Sequence, residues 1–241
     1  MNLFKSITVL AFLLSTIVSC AQWGNGRKIK GDQNITTVTR TTSGYDGIKV
    51  AGSMDFQLVK GSEGEIKIKG DANLMEYIIV EVKKNQLFVQ IKDGYNLRPS
   101  RTIKVTIPYE SISSVSLAGS GDVENSGVIE ADDFKVSLSG SGDINLNIST
   151  QSTESSIAGS EDIELDGSTN SLTVKIAGSG DFDGKELKSS DVTAKITGSG
   201  SANVVCNGEL IARITGSGDV NYSGKPTNKD TKITGSGSVS N

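Results

Sequence analysis

The 241-residue chain carries 24 Lys and Arg against 28 Asp and Glu, 28 Gly, 3 Pro, two Cys and no His. A mildly acidic balance gives no electrostatic footprint for nucleic acid, and the lack of histidine removes the usual general base near neutral pH. With aromatics at only 5% and Gly far above Pro, the composition suggests many tight turns between short strands, with no large aromatic core.

The first segment, residues 1–21, has Lys5, the apolar run Ile7 to Leu14 and then small residues, which is the layout of a secretory signal. Its apolar stretch is shorter than the roughly 20 residues that cross a bilayer. Two cuts fit. Ile17-Val18-Ser19-Cys20 matches a lipobox, making Cys20 a lipidation candidate and giving the only expected membrane attachment; Ser19-Cys20-Ala21 matches the ordinary small-x-small site, which leaves Gln22 as the new terminus. Either way the chain is expected to be exported. Residues 22–44 are expected to be a leader and linker. Only Cys206 then remains in the folded region, so no disulfide can form within it, and with no histidine to act as base Cys206 reads as a small buried filler.

Residues 45–241 read as a single domain. In residues 45–114, alternating apolar positions such as Ile66/Ile68, Leu87/Val89/Ile91 and Ile103/Val105/Ile107 mark strands of an irregular, capped part. Within it, Ile48 to Phe56 already follows the later pattern, with Met54 where a glycine would stand.

From residue 115 the chain repeats. Gly-Ser-Gly-Asp begins at 119, 140, 178 and 216, Gly-Ser-Glu-Asp at 159 and Gly-Ser-Gly-Ser at 198 and 235. A period of about 19–20 residues predicts a solenoid, each repeat being one coil that cannot bury its apolar side alone. Leu117, Leu138, Ile157, Ile176, Ile196, Ile214 and Ile233 form one apolar column before the motif. Val123, Ile144, Ile163, Phe182, Ala202, Val220 and Val239 form a second column after it. Together the columns fix the register, because a slip by one residue would expose a whole column. The fold expected is an all-β parallel β-helix, with seven regular coils stacking to roughly 30 Å. Gly119 and Gly121, Gly140 and Gly142, Gly178 and Gly180, Gly198 and Gly200, and Gly216 and Gly218 are expected to form the corner, where positive φ is needed and no Cβ fits. The end of the chain at Val239-Ser240-Asn241 is expected to be less protected than the start.

Three features invite a sharper reading. Asp122, Asp143, Asp162, Asp181 and Asp219 predict a column of carboxylates. Exposure and hydrogen bonds from the Ser and Gly turn amides would relieve its repulsion; calcium would need 6–8 oxygens per ion, more than one Asp per coil offers. Thr197, Thr215 and Thr234 could form a hydroxyl ladder for a glycan or ice, but Ala118, Ser139, Ala158 and Ala177 hold the same place, so packing of small residues is the simpler reason. Finally, β-helices also carry enzymes that act on polysaccharides. Hydrolysis needs two carboxylates across one cleft, a lyase needs a cluster of cations, and the Lys and Arg residues here look dispersed along the chain.

Tyr45-Asp46-Gly47-Ile48-Lys49-Val50, Gly52 to Phe56, Ile107-Pro108 and Leu117 to Val123, with the recurrent Gly-Ser-Gly-Asp coils, resemble the putative auto-transporter adhesin head GIN domain of exported Bacteroidetes proteins. The resemblance spans about residues 35–241 and implies a right-handed β-helix, with no catalytic motif and no cofactor. Leaders of that family resemble Ala21 to Gly24 cut before the Gln, which favours ordinary secretion. The function expected is a non-enzymatic binding or scaffolding module of the cell envelope or surface, with a glycan or a protein as partner. A polysaccharide-active enzyme and a purely structural envelope protein are the alternatives.

Overall fold

Alternation of apolar and polar residues builds this chain. In Ile144–Gly159, Ile144, Leu146, Ile148 and Thr150 point inward and the residues between them outward; the phase then slips at Gln151 and Ser152, and Thr153, Ser155 and Ile157 point inward instead. That slip is a corner, since two successive outward residues turn the strand. The computed structural model describes residues 26–241, so the expected signal segment and Cys20 lie outside the described residues.

The regular part is a β-solenoid of about seven turns. Its strands pair in parallel and in register: Leu117 lies beside Leu138, Leu138 beside Ile157, and so on through Ile176, Ile196 and Ile214 to Ile233. The second column stacks likewise from Val123 to Val239. Both columns are buried except in the last coil, and each buried aliphatic side chain contributes roughly 1.5–3 kcal/mol relative to exposure. One contiguous core runs from Tyr45 to Val220. Cys206 is buried in it, and burial raises its thiol pKa.

The corner glycines divide the work. Gly140 has φ +140°, and a Cβ there would lie 2.2 Å from the Gly119 carbonyl oxygen; Gly142 has no positive φ, yet its Cβ would lie 1.8 Å from the Gly121 oxygen. The first glycine therefore answers both to conformation and to stacking, the second to stacking alone. Where Glu161 replaces the second glycine, the corner changes: Ser160 N–H donates to the Glu161 carboxylate, whereas Ser141 and Ser179 N–H donate to the glycine carbonyls of the preceding coil.

The irregular end is a cap made by a change of strand direction. Gly47–Gly52 and Asp55–Lys60 pair on one side with Ser114–Gly119 and Val123–Ser126, and on the other with Gln86–Ile91 and Lys104–Tyr109, all in parallel. Met54 does take the place of the corner glycine, since a Cβ on Gly121 would run into its backbone. Beyond them Ile78–Lys83 lies antiparallel to Gln86–Ile91, and Glu65–Asp71 antiparallel to Lys104–Tyr109.

One expectation needs correction. The stretch 22–44 is folded from residue 27: Arg27–Lys30 pairs with Tyr95–Arg98, and Ile35–Thr41 runs antiparallel along Glu65–Asp71. Asp71 explains why it stays down, since its buried carboxylate accepts hydrogen bonds from Gln33 N–H (2.7 Å), Ser100 N–H (2.8 Å) and the Ser100 hydroxyl (2.7 Å). The opposite end is the less protected one, as its sequence suggests: Asn228–Gly235 is exposed along its whole length, Ile233 included at 41%. In the last coil Lys229 stands in the column that Phe134, Leu172, Val192 and Leu210 fill with apolar side chains, and a charge pointing inward blunts an open strand edge.

Candidate functional site

The outward side chains of the strands that lead into the corner form two parallel columns. Nearest the corner stand Ala51, Ala118, Ser139, Ala158, Ala177, Thr197, Thr215 and Thr234. Two residues earlier stand Lys49, Ser116, Ser137, Ser156, Lys175, Lys195, Arg213 and Lys232. Small side chains over the middle coils leave a furrow of about 730 Å³. It crosses seven strands, from Gln86–Ile91 to Leu187–Gly198, a length of roughly 29 Å at the usual strand spacing. Phe88 and Gln90 wall one end; Lys49 Nζ stands 5.6 Å above the Phe88 ring. No Asp or Glu lines it.

Ala118, Ser139, Ala158, Ala177 and Thr197 are exposed, so packing inside the solenoid does not account for their size. The expectation that the threonine column is small for packing reasons is corrected on this point. The cations are not dispersed either. Lys175, Lys195, Arg213 and Lys232 lie in one line on four successive coils. Their signal was present in the sequence as a Lys or Arg three residues before the glycine at 178, 198, 216 and 235. Residues 18–20 apart look scattered until they are read at the period of the coil.

The carboxylate column occupies the corner. Asp122 Oδ1 accepts the Asp143 N–H (3.2 Å), Asp143 Oδ1 the Asp162 N–H (3.3 Å), Asp162 Oδ1 the Asp181 N–H (2.9 Å) and Asp181 Oδ1 the Ser201 N–H (2.6 Å). Asp219 Oδ1 receives both the N–H and the hydroxyl of Ser238. The donors are therefore corner amides of the next coil, from Asp in three cases and from Ser, as expected, in two. Each carboxylate offsets its repulsion by closing a gap in the inter-coil ladder. Among the described residues, no three acidic, Cys or His side chains group as a metal site.

A smaller hollow of about 260 Å³ lies where the cap meets the first regular coils, lined by Asp55, Asp122, Glu124 and Asp143 with Lys104. Burial, then the nearby Asp122 charge, holds the Asp55 carboxyl above its ordinary pKa.

A family model, the putative auto-transporter adhesin head GIN domain, matches residues 44–226. The chain belongs to that family. A putative adhesin from Bacteroides fragilis has a similar structure, with 23% identity and a TM-score of 0.84 over 88% of this chain and 99% of its own. A putative lipid binding protein from Parabacteroides distasonis is similar at 25% identity and a TM-score of 0.76, over 89% of this chain and 99% of its own. A putative adhesin from Parabacteroides merdae has 23% identity and a TM-score of 0.72, over the same shares. No curated protein matches the chain. With these relatives, the head GIN domain chain fits an adhesin-like surface protein.

Proposed function

We propose that this head GIN domain protein is exported and works without catalysis, binding an extended ligand along the furrow, with a glycan as the ligand class. The observation that carries this reading is the exposed column of small side chains. A solenoid face free to carry any residue instead keeps Ala, Ser and Thr over six successive strands, and the result is a straight track suited to a regular polymer. Serines and lysines beside the floor offer hydrogen bonds to hydroxyl groups. The furrow lacks the pair of carboxylates that glycoside hydrolysis needs. The relative named for lipid binding raises an acyl chain as occupant, but such a chain favours an enclosed apolar pocket over an open furrow.

One observation favours a second reading, a polysaccharide hydrolase. In the small hollow, which Asp122 and Glu124 also line, burial and the Asp122 charge raise the Asp55 pKa, and a raised carboxyl is what a general acid requires. Release of reducing ends by the wild type, lost in Asp55→Asn, would establish that reading in place of the first.

A glycan array probed with folded and with heat-denatured protein tests the first reading. Binding specific to the folded form is expected; equal signals from both forms would remove the role of the face.

A further inference from the structure

The furrow does not end in neutral surface. At Lys175 its second column changes from serine to cation and stays cationic through Lys195, Arg213 and Lys232, while the first column becomes Thr197, Thr215 and Thr234. Neighbouring coils hold these charges at roughly the 4.8 Å strand spacing. Like charges stacked directly across strands destabilise a sheet, and this chain is acidic as a whole, with a formal net charge of -4. Nothing in the packing calls for the line, because all four side chains point outward. Two of the four are balanced locally: Lys175 pairs with Glu154 and Arg213 with Asp230. Among the ion pairs of the described residues, Lys195 and Lys232 have no partner. The unbalanced positive charge therefore recurs every second coil, beside a row of exposed hydroxyls.

We propose that this stripe selects an acidic polysaccharide, a polymer of uronic acid sugars laid along the solenoid axis with its carboxylates on Lys195 and Lys232 and its hydroxyls on the threonine column. The inference rests on the furrow reading and names the chemical class of its ligand. A polyuronate offers a carboxylate on each ring in a straight, regular array, which is what a single line of evenly spaced cations matches. Single-stranded nucleic acid would ask for aromatic side chains between the cations on which bases stack, and Phe88, the one aromatic residue lining the furrow, stands at its far end.

The test is retention of the full chain on immobilised polygalacturonate, with dextran as the neutral polymer and phosphatidylglycerol vesicles as the anionic membrane. Expected is retention on polygalacturonate alone, weakened about tenfold or more when salt is raised from low to well above physiological strength, as screening predicts. The double variant Lys195→Gln, Lys232→Gln is expected to lose a similar factor, since charge pairs at exposed side chains are individually weak. Lys188→Gln, a cation outside this line, should behave as wild type. Equal retention on dextran and polygalacturonate, unaffected by the double variant but abolished by Ala158→Trp, would overturn the acidic ligand and leave the furrow standing. Retention that survives Ala158→Trp as well would overturn both. A preference for the vesicles, or no retention on polygalacturonate, would overturn the inference.

Discussion

Lys229 occupies, one coil further on, the inward-facing position of Leu210. Its ammonium donates to the Tyr222 hydroxyl at 2.9 Å and stands 5.1 Å above that ring, so the charge lies across the end of the core where another coil would dock. Lys229→Leu should turn this end into an apolar strand edge and drive end-to-end association. Sedimentation of the variant is expected to show a concentration-dependent dimer; a variant that sediments like wild type would deny that Lys229 guards the edge.

Ser155 stands between Val136 and Val174 in a column that starts at Val115 in the regular coils and continues to Ala194 and Ala212. Its hydroxyl is fully buried without a partner, which costs about 1–3 kcal/mol. Ser155→Ala, a residue the same column accepts twice, should raise the unfolding free energy by about 1 kcal/mol in urea titration. A loss of stability instead would mean that the hydroxyl is satisfied.

The corner glycines make a graded prediction. Gly142→Ala places a Cβ 1.8 Å from the Gly121 oxygen, and the coils must separate to admit it. The cost should be about 1–3 kcal/mol, as for other overpacked sites. Gly61→Ala meets nothing within 4 Å and should be close to neutral. Similar melting points for the two variants would contradict the stacking role.

Acid should loosen the first strands. The hydrogen bonds from Ser100, followed by those from backbone amides, hold the Asp71 pKa below its ordinary value of 3.8. A depressed carboxylate contributes stability that is present above the ordinary value and is lost as pH falls through the folded one. Amide exchange in Arg27–Lys30 is therefore expected to accelerate below about pH 3.8 in the wild type, and to be fast and nearly pH-independent in this respect in Asp71→Asn. Equal protection of that strand in the two proteins would remove Asp71 as the tie.

The regular coils were legible because one glycine motif sets both period and register: once Leu117, Leu138 and Ile157 are aligned, every pairing through Ile233 follows. The leader was not, since Ile35–Thr41 is held by Asp71, a partner more than 30 residues away that no local pattern marks. The furrow was half legible. Thr197, Thr215 and Thr234 were visible as a column, but which way the column faced decided its meaning, and the cations beside it emerged only when residues one coil apart were set side by side.

The most direct test of the furrow as the binding face is a glycan array run in parallel with wild type and Ala158→Trp. Ala158 is exposed at mid-furrow, so the indole should fill the track and leave the melting point unchanged. The account predicts discrete signals for the wild type that vanish in the variant. The same pattern from both proteins would show that the ligand binds elsewhere, and the small side chains of the furrow would then have no part in recognition.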